Sequence, residues 1–179
     1  MVAEQAHWAP QAYAASVEGE ARLLLLIDAF SQREGTLEGR TKLAKLDFLL
    51  RYPAFFQRAM AIKGIQFDDE LVDAGQTIDD RMVRFRYGPW DPAYYALLGS
   101  LLGRRLIEAV PRERYIGFRT TEMGQRLAAD LSTTHPWRDV AARARLLRRA
   151  FRTQGGTYLK NFVYDHFPEV AQASWGDSL

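Results

Sequence analysis

A chain of 179 residues, 47% hydrophobic and 26% charged, lies in the ordinary globular range and is long enough for one full core. The absence of cysteine excludes disulfides, thiolate metal sites and cysteine nucleophiles. A formal net charge of +2 names no partner by itself, but its distribution is polarised. Asp68, Asp69, Glu70, Asp73, Asp79 and Asp80 crowd one stretch, while arginines crowd the later part of the chain.

Residues 1–18 read as a flexible arm carrying Trp8 and Tyr13, without the basic start and continuous apolar run of a signal peptide. A helix is expected from Glu20, with Leu23, Leu26, Ile27 and Phe30 on one face and Gly35 as its stop. Its apolar run over 23–27 is far below the roughly 18 residues of a membrane span, so the expectation is a cytoplasmic protein without membrane contact. A second helix over 38–51 turns Leu43, Leu46, Leu49 and Leu50 inward. Pro53 opens a short third helix bearing Phe55, Phe56 and Met60, stopped near Gly64.

The acidic stretch over 66–80 has weak periodicity and reads as an insertion that is a loop or a loosely attached turn of helix. Val83, Phe85 and Tyr87 then alternate with arginines as a half-buried strand, which Gly88-Pro89 stops. Asp91 as N-cap and Pro92 at the first helical position start a helix that buries Tyr94, Leu97, Leu98 and Leu101. A strand over 106–110, a basic turn over 111–114 and a return strand with Ile116 and Phe118 come next. Thr120-Thr121 caps a helix in which Met123, Leu127 and Leu131 recur every four residues and are expected to face the core. In the following helix Val140, Ala144, Leu147 and Phe151 form one side, with Arg138, Arg145, Arg149 and Arg152 opposite. Gly155-Gly156 breaks it. A last helix over 157–166 buries Leu159, Phe162 and Val163 and ends at Phe167-Pro168-Glu169.

This order predicts an α+β, mostly helical fold: a winged helix-turn-helix core over 19–133, carrying the acidic insertion, and a C-terminal helical extension over 134–179. No catalytic or cofactor chemistry is indicated. His7, His135 and His166 lack metal-ligand spacing, and no phosphate-binding glycine loop or nucleophile elbow is present. The acidic group reads as a solvated loop or a basic partner's landing site in preference to a metal or nuclease centre. Candidate phosphate or DNA contacts are Arg104 and Arg105 at a helix end, Arg112 and Arg114 at the wing tip, and Arg138, Arg145, Arg149 and Arg152 on the tail helix. Tyr94 and Tyr95 open the would-be recognition helix in place of base-reading side chains, so any DNA contact is expected to be non-specific.

Four blocks, KLAKLDFLLRYP (residues 42–53), RYGPWDPAYYALLGSLLGRRLI (residues 86–107), TTEMG (residues 120–124) and AFRTQGGTYLKNFVYDHFPEV (residues 150–170), together resemble the middle component of bacterial three-component ABC-ATPase systems, including Lamassu-type antiphage defence. The resemblance implies a small, non-catalytic winged-helix subunit between an SMC-like ATPase that senses foreign DNA and an effector such as a nuclease. It marks Asp47, Phe48, Tyr87, Trp90, Asp91, Phe167 and Glu169 as partner-interface candidates, and no cofactor. The alternative is a stand-alone winged-helix transcriptional regulator or antitoxin-like DNA-binding protein.

Overall fold

The computed structural model of the chain describes residues 14–73, 83–85 and 88–172. Tyr87 and the second part of the acidic insertion (74–80) lie outside the described residues, as do residues 1–13 of the expected arm.

Helix α1 (Val17–Ser31) starts where Ser16 accepts the Gly19 amide at 3.0 Å, a side-chain cap on an otherwise unpaired helix donor. It is buried along almost its whole length because later helices and a later strand pack around it. The chain then passes through a short turn, Gln32–Glu34, into strand β1 (Leu37–Glu38) and helix α2 (Gly39–Arg51). Pro53 pre-sets the first turn of α3 (Pro53–Ile62). The described part of the acidic stretch includes a short helix, α4 (Glu70–Asp73), the turn of helix that its sequence allowed.

Strand β2 (Val83–Phe85) forms as the alternation predicts, but Gly88-Pro89 does not only end it. Gly88–Trp90 returns as β3, antiparallel to β2, with Val83 opposite Trp90. The next helix, α5 (Tyr94–Gly103), starts three residues beyond the expected cap. Asp91 still caps the approach: its Oδ1 accepts the Ala93 amide at 2.7 Å, and its carbonyl accepts the Tyr94 amide. Tyr94, Leu97, Leu98 and Leu101 are buried, as the helical spacing requires.

Strands β4 (Ile107–Pro111) and β5 (Ile116–Thr120) form a hairpin, and β1 pairs on the far side of β5, giving a three-stranded antiparallel sheet in the order β1-β5-β4. Thr120 seats this sheet on α1. Its amide donates to Ser31 Oγ and its hydroxyl to Asp28 Oδ1, each at 3.0 Å.

Helix α6 (Glu122–Leu131) begins at the Thr121 cap, which accepts the Gly124 amide at 3.1 Å. Here one expectation fails. Met123 and Leu127 are 57% and 39% exposed, and the buried face carries Gly124 and Ala128 instead. The reason is close approach: a Cβ on Gly124 would stand 1.9 Å from the Leu106 carbonyl oxygen, so the helix packs by backbone proximity and not by large side chains.

Helix α7 (Trp137–Phe151) keeps the predicted division, with Val140, Ala144, Leu147 and Phe151 fully buried. Helices α8 (Gly156–His166) and α9 (Pro168–Gln172) follow. The C-terminal helices are not appended to a finished core. Leu147, Phe151, Leu159, Phe162 and Val163 belong to the same continuous apolar cluster as Leu23, Leu46 and Leu97. Lys42 ties α2 to the end of α7 by donating to the Arg152 carbonyl at 3.1 Å.

Candidate interface surfaces and the buried charge network

Two of the resembling blocks meet inside the protein through charge. Arg22 of α1 donates through Nε to Asp47 Oδ1 at 2.7 Å. Arg51, one turn after Asp47 on α2, donates to Asp47 Oδ2 at 3.0 Å and pairs closely with Asp91. The Tyr94 hydroxyl donates to Asp47 Oδ2 at 2.7 Å. The side chains of Arg22, Asp47 and Arg51 are fully buried. Two guanidinium charges and two carboxylate charges balance, which is the condition for keeping ions out of water.

Burial alone would raise the pKa of Asp47, but Arg22 and Arg51 more than offset it and hold the carboxyl below its usual range. Burial, then the Asp47 charge, keeps the Tyr94 phenol protonated well above its usual range. Beside the network, Lys45 is 2% exposed and donates to the Pro89 carbonyl at 3.2 Å. Burial, with Lys160 adding repulsion, brings its pKa down to about 8.

The partner-interface candidates divide accordingly. Asp47, Phe48, Asp91 and Phe167 are interior side chains, engaged within the fold. Phe167 packs edge-on against Phe55 and Phe162, with its ring 6.3 Å from Phe48. Trp90 is half-buried, its ring 5.1 Å from Tyr94 and 6.2 Å from Tyr95. Glu169 is on the surface, where Arg58 pairs with it and lies 4.8 Å from the Phe167 ring. Its carboxyl is held low chiefly by the hydrogen bond from Arg58.

The arginine candidates do not form one stripe. Arg104 stands 3.5 Å from Glu20, and Arg138 stands 3.7 Å from Asp139. Arg145 lines a pocket of about 680 Å³ with Asp28, whose carboxyl is pushed up by burial and drawn back by Thr120 and Arg145. Arg105 sits in a left-handed turn, φ 58°, after α5, and Arg149 is exposed. Arg112 and Arg152 are brought together across a cleft, and Arg148, which the stripe omitted, joins them.

Arg114 faces elsewhere, into a groove of about 1080 Å³ between α5 and the hairpin. Tyr95, Leu98, Leu102, Ala109 and Ile116 line that groove, and Tyr95, Leu102 and Ile116 are exposed. Arg40 donates to the Tyr95 hydroxyl at its edge. Among the described residues no group of three or more histidine, aspartate or glutamate side chains could hold a metal ion, and no helix is long and apolar enough to cross a membrane.

Sequence reasoning missed Arg22, Lys42, Lys45 and Arg51 as interior residues. The available signal was their position on helix faces otherwise filled by leucine. Comparison with protein-family models, with curated proteins and with solved structures found no match to this chain.

Proposed function

We propose that this chain is a non-catalytic winged-helix adaptor subunit of an SMC-like ATPase antiphage complex, linking the DNA-sensing ATPase to an effector such as a nuclease. In this reading α1, β1, α2 and α5 with the β4–β5 hairpin make the winged-helix core. Helix α5 then occupies the recognition-helix position and the hairpin is the wing. The strand order β1-β5-β4 supports it.

The observation that carries the adaptor role is the outer surface of α5 and the hairpin. A DNA-reading helix presents amide and guanidinium groups to base edges. Here the helix itself presents Tyr95, Gly99 and Leu102, with Ile116 of the hairpin beside them and Arg40 and Arg114 in the groove lining, a mainly apolar surface that suits a protein partner. The resemblance of the four sequence blocks supplies the kind of partner. Residues with chemistry to offer, Asp47, Asp91 and Tyr94, are engaged inside the fold, Tyr94 with Asp47 and both carboxylates with Arg51, and the adaptor needs no catalytic group.

Co-expression with the products of flanking genes, followed by affinity purification on this chain, tests the proposal. The expected result is co-elution with a large coiled-coil ATPase in fixed stoichiometry. A chain that elutes alone while those neighbours assemble without it overturns the proposal. A symmetric dimer that selects one operator sequence against competitor DNA would favour the regulator instead.

A further inference from the structure

Arg112 lies on the turn between β4 and β5, and Arg148 and Arg152 lie one helical turn apart at the end of α7. All three line one open cleft of about 360 Å³. The hairpin register sets the first side of this cleft. Pro111 faces Ile116, and the Arg112 amide donates to the Tyr115 carbonyl at 2.9 Å, so Arg112 and Tyr115 are the next cross-strand pair and leave the hairpin on one face. Tyr115 lines the cleft too and is 38% exposed. The second side is fixed by the buried face of α7 and by the Lys42 hydrogen bond to the Arg152 carbonyl.

The charge balance of the cleft is positive. Glu34 and Glu38 are its carboxylates, and Glu38 is committed to Lys42 at 3.7 Å. Among the described residues the other ion pairs use Arg22, Arg51, Arg58, Arg104, Arg119, Arg126, His135 and Arg138, which leaves Arg112, Arg148 and Arg152 without a carboxylate partner. Thr36 and Thr153 add hydroxyls. The wall includes Glu34, which with Arg33 holds a left-handed backbone, φ 59° and 56°, in non-glycine residues.

Guanidinium forks match phosphate oxygens, and an exposed aromatic ring beside them stacks a base that is out of a duplex. We propose that the cleft between the hairpin tip and the end of α7 binds single-stranded nucleic acid, with phosphates on Arg112, Arg148 and Arg152 and a base on Tyr115. This binding belongs to the chain itself and does not depend on the adaptor reading.

The probe is a labelled oligothymidylate of about 20 nucleotides, longer than the usual span of one small binding domain. Its binding to the full chain is followed by fluorescence anisotropy across a salt series, beside a duplex of equal length. The wild type should bind the single strand more tightly than the duplex. Replacing Arg112, Arg148 and Arg152 together by alanine should remove three phosphate contacts. The slope of log affinity against log salt should then become shallower by about 2, at roughly 0.7 per contact for single strands. Tyr115→Ala should weaken single-strand binding about tenfold and leave duplex binding unchanged.

Lys63→Ala, Arg119→Ala and Arg126→Ala combined remove the same charge away from the cleft and should retain most of the affinity. Circular dichroism melting confirms that each variant is folded. The proposal is overturned by no binding of the wild type, by equal losses in the two triple variants, or by a Tyr115→Ala protein that binds the single strand as the wild type does.

Discussion

Replacing Asp47 by asparagine keeps the shape of the side chain and removes one negative charge between two buried guanidiniums. In the native protein the carboxylate accepts from Arg22 Nε at 2.7 Å, Arg51 Nε at 3.0 Å and Tyr94 Oη at 2.7 Å, with Arg22 Nη2 further off at 3.4 Å. An asparagine oxygen can accept about two of these, and its amide group would then face a guanidinium N–H, donor against donor. Asp91 alone would be left to balance Arg22 and Arg51.

Breaking a buried pair in this way costs about 3–5 kcal/mol. For a chain of this size, a loss of about 4 kcal/mol lowers Tm by roughly 12 °C. Calorimetry and urea unfolding at neutral pH measure it. Combining Asp47→Asn with Arg22→Met restores one cation to one anion, so the pair should cost less than the sum of the single changes by at least about 1 kcal/mol.

The pH dependence follows from the same charges. With its pKa depressed in the folded state, Asp47 contributes stability that is complete above the ordinary carboxylate pKa of about 4. That contribution is lost as pH falls through the lower folded-state value, so the variant should show a flatter acid limb than the wild type. A variant that melts within about 2 °C of wild type, or strictly additive costs in the double variant, would refute the account of the network.

Gly124→Ala should cost at least about 2 kcal/mol in urea unfolding, because its Cβ has only the 1.9 Å gap to the Leu106 oxygen. Gly99→Ala, with nothing within 4 Å of its Cβ, should stabilise α5 by about 0.5–1 kcal/mol. Lys45, with its pKa near 8, is neutral in the folded protein and charged in the unfolded chain between about pH 8 and 10. The unfolded state therefore binds more protons, stability should rise over that window, and Lys45→Met should abolish the rise. Above about pH 10 the buried Tyr94, held neutral, opposes any further gain. Phe167→Ala should cost about 3–5 kcal/mol by thermal melting, whereas Glu169→Gln, at an exposed ion pair, should cost under about 1 kcal/mol.

The helices that bury large apolar residues at regular spacing were legible from sequence, and so was the hairpin. The Thr121 cap and the division of α7 into apolar and basic sides stand where the pattern put them. What escaped reading has two physical causes. Periodicity weighs side-chain size, so it assigned Met123 and Leu127 to the core and overlooked Gly124, whose lack of a side chain allows the closest contact of α6. Periodicity weighs apolar residues only, so it gave no place to Arg22, Lys42, Lys45 and Arg51, each of which finds a partner that only the assembled fold supplies. The site suffered similarly. Arg112 and Arg152 were candidates on separate elements, and their convergence with Arg148 and Tyr115 depends on how the hairpin lies against the end of α7.

The Arg51–Asp91 ion pair also has a consequence for what this architecture can accommodate. It joins the last residue of α2 to the approach of α5, and so ties together the two ends of everything between them. Helix α3 contributes Phe56 and Met60 to the core, Val72 packs against it, and β3 lies on α2, where Lys45 donates to the Pro89 carbonyl. Lengthening a surface excursion costs only about 0.6 kcal/mol per doubling when its ends are already held. Related chains could therefore carry excursions of different size and charge at this point on an unchanged scaffold. The same clamp makes it the position of choice for grafting a tag or a foreign domain.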